Sequence, residues 1–265
     1  MVVFRAEMNR LSICVVAQNE EPNLARVLKS AQSIADEIVL VDGGSTDGTL
    51  EVAQRFDCKI IKRPFTNHAD QKNFAATVAS NDWIFLLDAD EELTANLRES
   101  VEGWKQERAQ FAVYEMARRT WYLGAWIHHS RWYPDWQRRI YDRNKASFSG
   151  AIHSALSYNG EIGRLEGDLL HYTVRNYAEH EAKLDRYTTA IAQEMFDQGR
   201  RDWRGAMWIA TPWSWVRHFF LGAGFLDGYR GALIAQMAAR GVKQKFAKLG
   251  TLIENEKLKN RSGSE

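Results

Sequence analysis

Over the first 115 residues, apolar and polar positions come in blocks. Leu11 to Ala17 is a mainly apolar run of strand length, and Asn19-Glu20-Glu21-Pro22 then opens a helix with Leu24, Val27, Leu28 and Ala31 at helical spacing. Glu37 to Val41 is a second strand, ending at Asp42. The pattern repeats with a helix over Leu50, Val52, Ala53 and Phe56, a strand Lys59 to Lys62, a helix Asp70 to Ala79, and a strand Trp83 to Leu87 ending at Asp88. Strand–helix alternation with continuous apolar strands predicts a mostly parallel sheet buried on both faces by crossover helices.

From Gln110 the pattern is mixed. Phe111 to Tyr114, Gln137 to Tyr141 and Ala151 to Ser157 read as strands, and Asn176 to Phe196 reads as a helix. Arg118 to Asp135 reads as a long aromatic loop, with Trp121, Tyr122, Trp126, Trp132 and Tyr133 among basic residues. Long loops of this kind are usually functional. From Trp203 the pattern is broken by Pro212 and by glycines 222, 224, 228 and 231, then becomes a basic helix to about Lys259. The reading is a main domain over 1–200, with halves 1–115 and 116–200, and a helical extension over 201–265.

Composition refines this picture in two ways. A chain of 265 residues, 45% hydrophobic, has a full core, which excludes disorder, collagen-like sequence and a disulfide scaffold. Two cysteines without metal spacing suit a reducing compartment, so the chain reads as cytoplasmic. Val2-Val3-Phe4 is too short for a signal-peptide core, and no run has the length of a spanning helix. The net charge of +1 hides an asymmetry: residues 201–265 carry 11 Lys+Arg against 5 Asp+Glu, net +6, which leaves residues 1–200 at −5.

In an open parallel sheet, ligands sit beyond the carboxyl ends of the strands. There the chain places Gln18-Asn19-Glu20, then Asp42-Gly43-Gly44-Ser45-Thr46-Asp47-Gly48, then Asp88-Ala89-Asp90-Glu91. The glycine-rich loop has neither dinucleotide nor P-loop spacing. Its leading Asp42 suits a ribose hydroxyl or base N–H, and the glycines allow close approach; the same residues also fit a capped tight turn. Asp88 and Asp90, at i and i+2, can face one way and hold a hard divalent ion such as Mg²⁺ or Mn²⁺ together with diphosphate oxygens. The alternative is a solvated acidic helix start through Glu91 and Glu92.

Val-Val-Ala-Gln-Asn-Glu-Glu, Glu-Ile-Val-Leu-Val-Asp-Gly-Gly-Ser-Thr-Asp-Gly-Thr, Gln71-Lys72-Asn73 and Leu-Asp-Ala-Asp-Glu together resemble glycosyltransferase family 2. Trp132 to Arg139, Ala151-Ile152-His153 and Gly224 to Gly228 are similar to a narrower group, the bacterial lipopolysaccharide core beta-1,4-glucosyltransferases. The resemblance implies an α/β GT-A fold (Rossmann-like, nucleotide-sugar-binding), a UDP-sugar donor, and inverting transfer, here of glucose to a lipopolysaccharide inner-core acceptor. It also implies residue roles: Asp42 and Glu20 near uracil or ribose, Lys72 against the nucleotide, Asp88 at ribose or metal, and Asp90 as principal metal ligand. Capsule or exopolysaccharide assembly with another donor is the alternative within the class.

The chemistry asks for a metal on the leaving diphosphate and a general base for the acceptor hydroxyl. Arg138 or Arg139 adds positive charge near the diphosphate beside Gln137, and as strand neighbours only one of the two faces it. The narrower group carries His-Glu where this chain has His153-Ser154. Base candidates are therefore Asp135 and His153; a relative that binds without catalysis is the remaining reading. In the extension, Trp203, Trp208, Trp213 and Trp215 beside arginine and lysine describe a segment lying on an anionic membrane surface, where a lipid-linked acceptor would be. A tail packed on the catalytic domain fits as well. An acidic body and no interleaved stacking aromatics argue against nucleic acid.

Overall fold

The expected crossovers form. The computed structural model describes residues 9–150, 154–174 and 176–262. It begins with β1 (Leu11–Ala17), α1 (Glu21–Ala31), β2 (Glu37–Asp42), α2 (Thr49–Ala53), β3 (Lys59–Lys62), α3 (His68–Val78) and β4 (Trp83–Asp88). Strand periodicity divides the side chains between two faces. Ile13, Val15, Leu40, Phe85 and Leu87 point to the face covered by α1, while Cys14, Val39, Val41, Ile84 and Leu86 point to the face covered by α3. The helical spacing read in α1 is the buried stripe: Leu24, Val27 and Leu28 are all at most 1% exposed. Each such burial contributes about 1.5–3 kcal/mol relative to exposure.

The sequence reading diverges after Asp88. Glu91–Leu93 is not the start of a helix but a short strand, β5; α4 (Ala95–Gln106) follows, its N-cap Thr94 accepting from the Leu97 N–H. The stretch expected as loop from Arg118 contains the end of a ten-residue strand, β6 (Val113–Tyr122), and β7 (Ala125–Trp126), which pairs back on it through Trp121 and Trp126. Successive arginines are tolerated in β6 because each meets an acid, Arg118 at Glu91 and Asp135, Arg119 at Asp168. β8 (Asp135–Asp142), β9 (Ala146–Ser149), β10 (Ala155–Tyr158) and β11 (Ile162–Val174) complete the strands. The strand expected over 151–157 is described only from Ser154, and β10 begins at Ala155.

The main sheet has the order β3-β2-β1-β4-β8-β6-β11-β5. β3, β2, β1 and β4 are parallel; β8 is antiparallel to both β4 and β6, and β5 to β11, so the sheet is mixed. Order reverses at β1, which lies between β2 and β4. Its register sets Ala17 beside Asp42 and Val16 beside Asp88, so both acids end up at the switch point.

The described residues form two compact units, those of 9–119 with 135–172, and those of 120–134 with 173–262. The second unit therefore takes in α5 (Tyr177–Asp197) as well as the segment beyond 200. Ala192 and Met195 of α5 pack with Phe246, Leu249 and Ile253 of the last helix. After α5 come α6 (Arg204–Val216, with Pro212 inside), a π turn (Arg217–Leu221), a 3-10 turn (Gly224–Asp227) and α7 (Gly228–Ser262).

Candidate active site

The strand-end loops are laced to each other. Asn19 donates its N–H to Ser45 Oγ and accepts from the Thr46 N–H; Glu20 N–H donates to Thr49 Oγ1; Glu21 N–H donates to Asp47. In return, Gly48 N–H donates to the Glu21 carboxylate at 3.0 Å. Asp42 is buried, and its oxygens accept the N–H groups of Gly44 and Ser45, so the carboxylate shapes its own loop. Gly44 sits at φ +101°, in the left-handed region where a side chain is strained. The Glu20 side chain accepts from Asn23 on the following helix turn.

The Gln71-Lys72-Asn73 set is divided by function. Gln71 Nε2 donates to the Arg63 carbonyl at 3.0 Å. Asn73 makes a two-bond clasp with the Phe148 backbone, tying α3 to β9. Lys72, 8% exposed, is left facing inward, its Nζ 3.4 Å from Asp88 and 5.2 Å from the centre of the Phe148 ring. Burial lowers the Lys72 pKa, and Asp88 opposes that shift.

Asp88 begins a chain of alternating charges. Arg139 Nη2 lies 2.5 Å from both Asp88 and Glu91; Glu91 also takes Arg118 at 3.2 Å; Arg118 holds Asp135 through Nε at 2.9 Å and Nη2 at 2.6 Å. From Lys72 to Asp135 the order is cation, acid, cation, acid, cation, acid. Glu91 has no solvent exposure and also accepts the Asp88 N–H. Burial raises the Asp88 pKa, but Arg139 and Lys72 outweigh it and hold the carboxyl far below the usual range; Arg139 is raised by the same acids. The solvated acidic helix start is thereby corrected, because Glu91 is the buried centre of this network.

An open cleft of about 320 Å³ adjoins the chain, lined among others by Lys72, Asp88, Arg118, Gln137, Arg138 and Ser154. The strand alternation separates the two arginines: Arg139 is 3% exposed within the network, and Arg138 is on the open side, 5.3 Å from the Tyr158 ring. Gln137 donates to Asp135 Oδ1 at 2.8 Å. His153 lies outside the described residues.

Asp90 has a different neighbour from Asp88. His171 of β11 places Nε2 3.3 Å from Asp90 Oδ2, while its Nδ1 is buried without a hydrogen-bond partner among the described residues. Among these residues no three His, Cys, Asp or Glu side chains form a metal cage. A carboxylate plus an imidazole nevertheless fits a divalent ion that takes its other ligands from a diphosphate and water. The sequence reading missed His171 because its place depends on the β11–β5 register, which sets His171 opposite Glu91 across 80 residues of chain.

The family model for Glycosyl transferase family 2 matches residues 12–162. An uncharacterised glycosyltransferase of Rickettsia typhi is 28% identical, covering 92% of this chain and 88% of that protein. The lipopolysaccharide core biosynthesis glycosyltransferase LpsC of Rhizobium meliloti is also 28% identical, covering 89% of this chain and 93% of that one. Among solved structures, S. aureus TarS 1-349 in complex with UDP-GlcNAc matches at TM-score 0.48 and 14% identity, covering 93% and 92% of the two chains.

Proposed function

The chain belongs to glycosyltransferase family 2 and is a GT-A-fold transferase, and from that premise we propose that it transfers glucose from UDP-glucose, with inversion, to a lipopolysaccharide inner-core acceptor. The supporting observation is the switch point itself. Asp42 and Asp88 flank the end of β1, and the cleft beside Asp88 presents Lys72, Arg118 and Arg138. The carboxylates suit a ribose and a divalent ion, and the cations interleaved with them suit a diphosphate. The relative LpsC, named for lipopolysaccharide core biosynthesis, favours that acceptor class.

In this reading Asp42 and Glu20 lie at the uracil and ribose end, and Lys72 and Arg138 neutralise the diphosphate. Asp90, with His171, would hold Mg²⁺ or Mn²⁺, and Asp88 would meet the ribose or the ion. When bound, the ion supplies Lewis-acid charge to the leaving diphosphate. The acceptor oxygen forms its bond to the anomeric carbon as the bond to the diphosphate oxygen breaks, and Asp135 takes the hydroxyl proton. Arg118 occupies Asp135 Oδ2, while among the described residues Oδ1 accepts from Gln137 and has a second lone pair for that proton. His153 is the other candidate base. The enzyme works at the cytoplasmic side of the inner membrane on a lipid-linked saccharide, as a peripheral protein; no described helix is long and apolar enough to cross a membrane.

UDP should compete with the donor far better than GDP, and stronger competition by GDP would overturn the UDP assignment. Asp135→Asn should lower the transfer rate at least about 10²-fold with little change in UDP affinity, as loss of a general base requires. Wild-type turnover in that variant would move the role to His153.

A further inference from the structure

Apolar side chains left in water singly are ordinary on a folded surface, whereas a contiguous group of them is not. Of the thirteen large apolar side chains exposed among the described residues, eight fall between Trp208 and Tyr229. On α6, Trp208 and Ile209 are 75% and 74% exposed, and Trp213 continues their side of the helix. The opposite side does the packing: Ala206, Met207 and Ala210 lie against the cluster of Phe246, Leu249 and Ile253. Past the end of α6, Phe220, Leu221, Phe225 and Leu226 crown the turn that leads into α7. The turn is braced from within, Trp215 stacking on Phe219 at 4.8 Å and Phe219 meeting Phe225 edge-on at 6.3 Å.

Charge decides what this surface fits. From Trp203 to Leu226 there is no Asp or Glu, while Arg217 is exposed within the stretch and Arg131, also exposed, lies against Gly222. The first acid after it, Asp227, is turned inward with its side chain 5% exposed; it accepts the N–H groups of His128 and His129 and the Ser130 hydroxyl. The face therefore offers tryptophan, phenylalanine and arginine and no acid of its own; at its start Arg204 pairs with Glu254 of α7 at 3.5 Å, while Arg217 lies at the turn. A second copy of the same face would bring more arginine and no acid from the Trp203–Leu226 stretch to answer it. An anionic lipid surface supplies both the apolar interior and the negative headgroups.

We infer that the α6–α7 turn is a membrane-docking wedge, lying in the plane of an anionic leaflet with Trp208, Ile209, Trp213 and the apolar turn residues sunk among the acyl chains. Asp227 fastens residues 128–130 to the wedge, so docking also fixes the loop that leads to Tyr133 and Pro134. The inference deepens the reading of a membrane-borne acceptor and takes its purpose from it, but the docking itself requires no acceptor.

The test is flotation of the full chain with vesicles of phosphatidylcholine alone or mixed with phosphatidylglycerol, next to UDP binding measured on the same samples. Wild type should float with the mixed vesicles and release as salt is raised. The Leu221→Asp, Phe225→Asp double variant should bind them at least about tenfold more weakly while keeping its UDP affinity, because both side chains are exposed in water. Failure of wild type to float, or undiminished flotation of the variant, overturns the wedge. So does a wild-type dimer in sedimentation that the same two substitutions dissociate, since a second copy would then be the occupant. Loss of UDP binding with flotation intact would instead fault the proposed activity.

Discussion

Replacing Glu91 by alanine should cost about 3 kcal/mol of stability, the lower end of the range for breaking a buried ion pair. Glu91 is fully buried between Arg139 and Arg118, whose side chains are 4% and 19% exposed. Without it, two acids face three cations, and a net positive charge is left around the buried Arg139 guanidinium. The full 3–5 kcal/mol is not expected because each arginine keeps one partner, Arg139 at Asp88 and Arg118 at Asp135. Thermal denaturation measures it: a loss of this size should lower Tm by on the order of 10 °C. Glu91→Gln should fall between the two, since the amide oxygen still accepts from arginine but carries no charge. An alanine variant that melts within about 2 °C of wild type would show that the arginines are satisfied without Glu91.

Asp90→Ala should do the reverse, sparing the fold and removing the chemistry. Asp90 is half-buried, and among the described residues its side chain meets His171 rather than the arginine network, so the change should leave that network intact. Metal-dependent hydrolysis of UDP-glucose should fall about 10³-fold, the equivalent of about 4 kcal/mol of charge stabilisation on the leaving diphosphate. His171→Ala should raise the metal concentration for half-maximal rate at least about tenfold. If His171 joins the donor set, its imidazole should give lower half-saturation for Mn²⁺ than for Mg²⁺. Turnover of Asp90→Ala at the wild-type rate, or insensitivity of wild type to chelator, would remove the metal from the reading.

The contrast between these two acids, one residue apart, shows what the sequence could carry. Asp42, Asp88 and Asp90 were legible because a strand buried on both faces reads as an unbroken apolar run, and the first polar residue after it marks the sheet edge. Lys72 and Asp135 were legible only as members of motifs; their partners were not. Glu91 looked like one more acid at a helix start, and nothing local shows that β8 brings Arg139 onto it from 48 residues away. The second half of β6, from Arg118, reads as loop because adjacent arginines beside aromatics satisfy no one-sided pattern, and its charges are balanced by strands far along the chain. β11 was missed for a similar reason: its burial alternates only in part, and its pairing is entirely non-local. Contacts within an element were readable, and contacts set by register between elements were not.

The lacing of residues 19–21 to residues 42–49 has a further consequence. The amide groups of Gly44, Ser45, Thr46, Gly48 and Thr49 all donate to side chains of these same two loops. The ordering entropy of the loop is thus met when the protein folds, and little of it remains to be met when a ligand arrives. A preorganised loop keeps more of its contact energy as affinity, and it makes discrimination between bases a matter of fit, because a rigid edge cannot reshape itself around the wrong one.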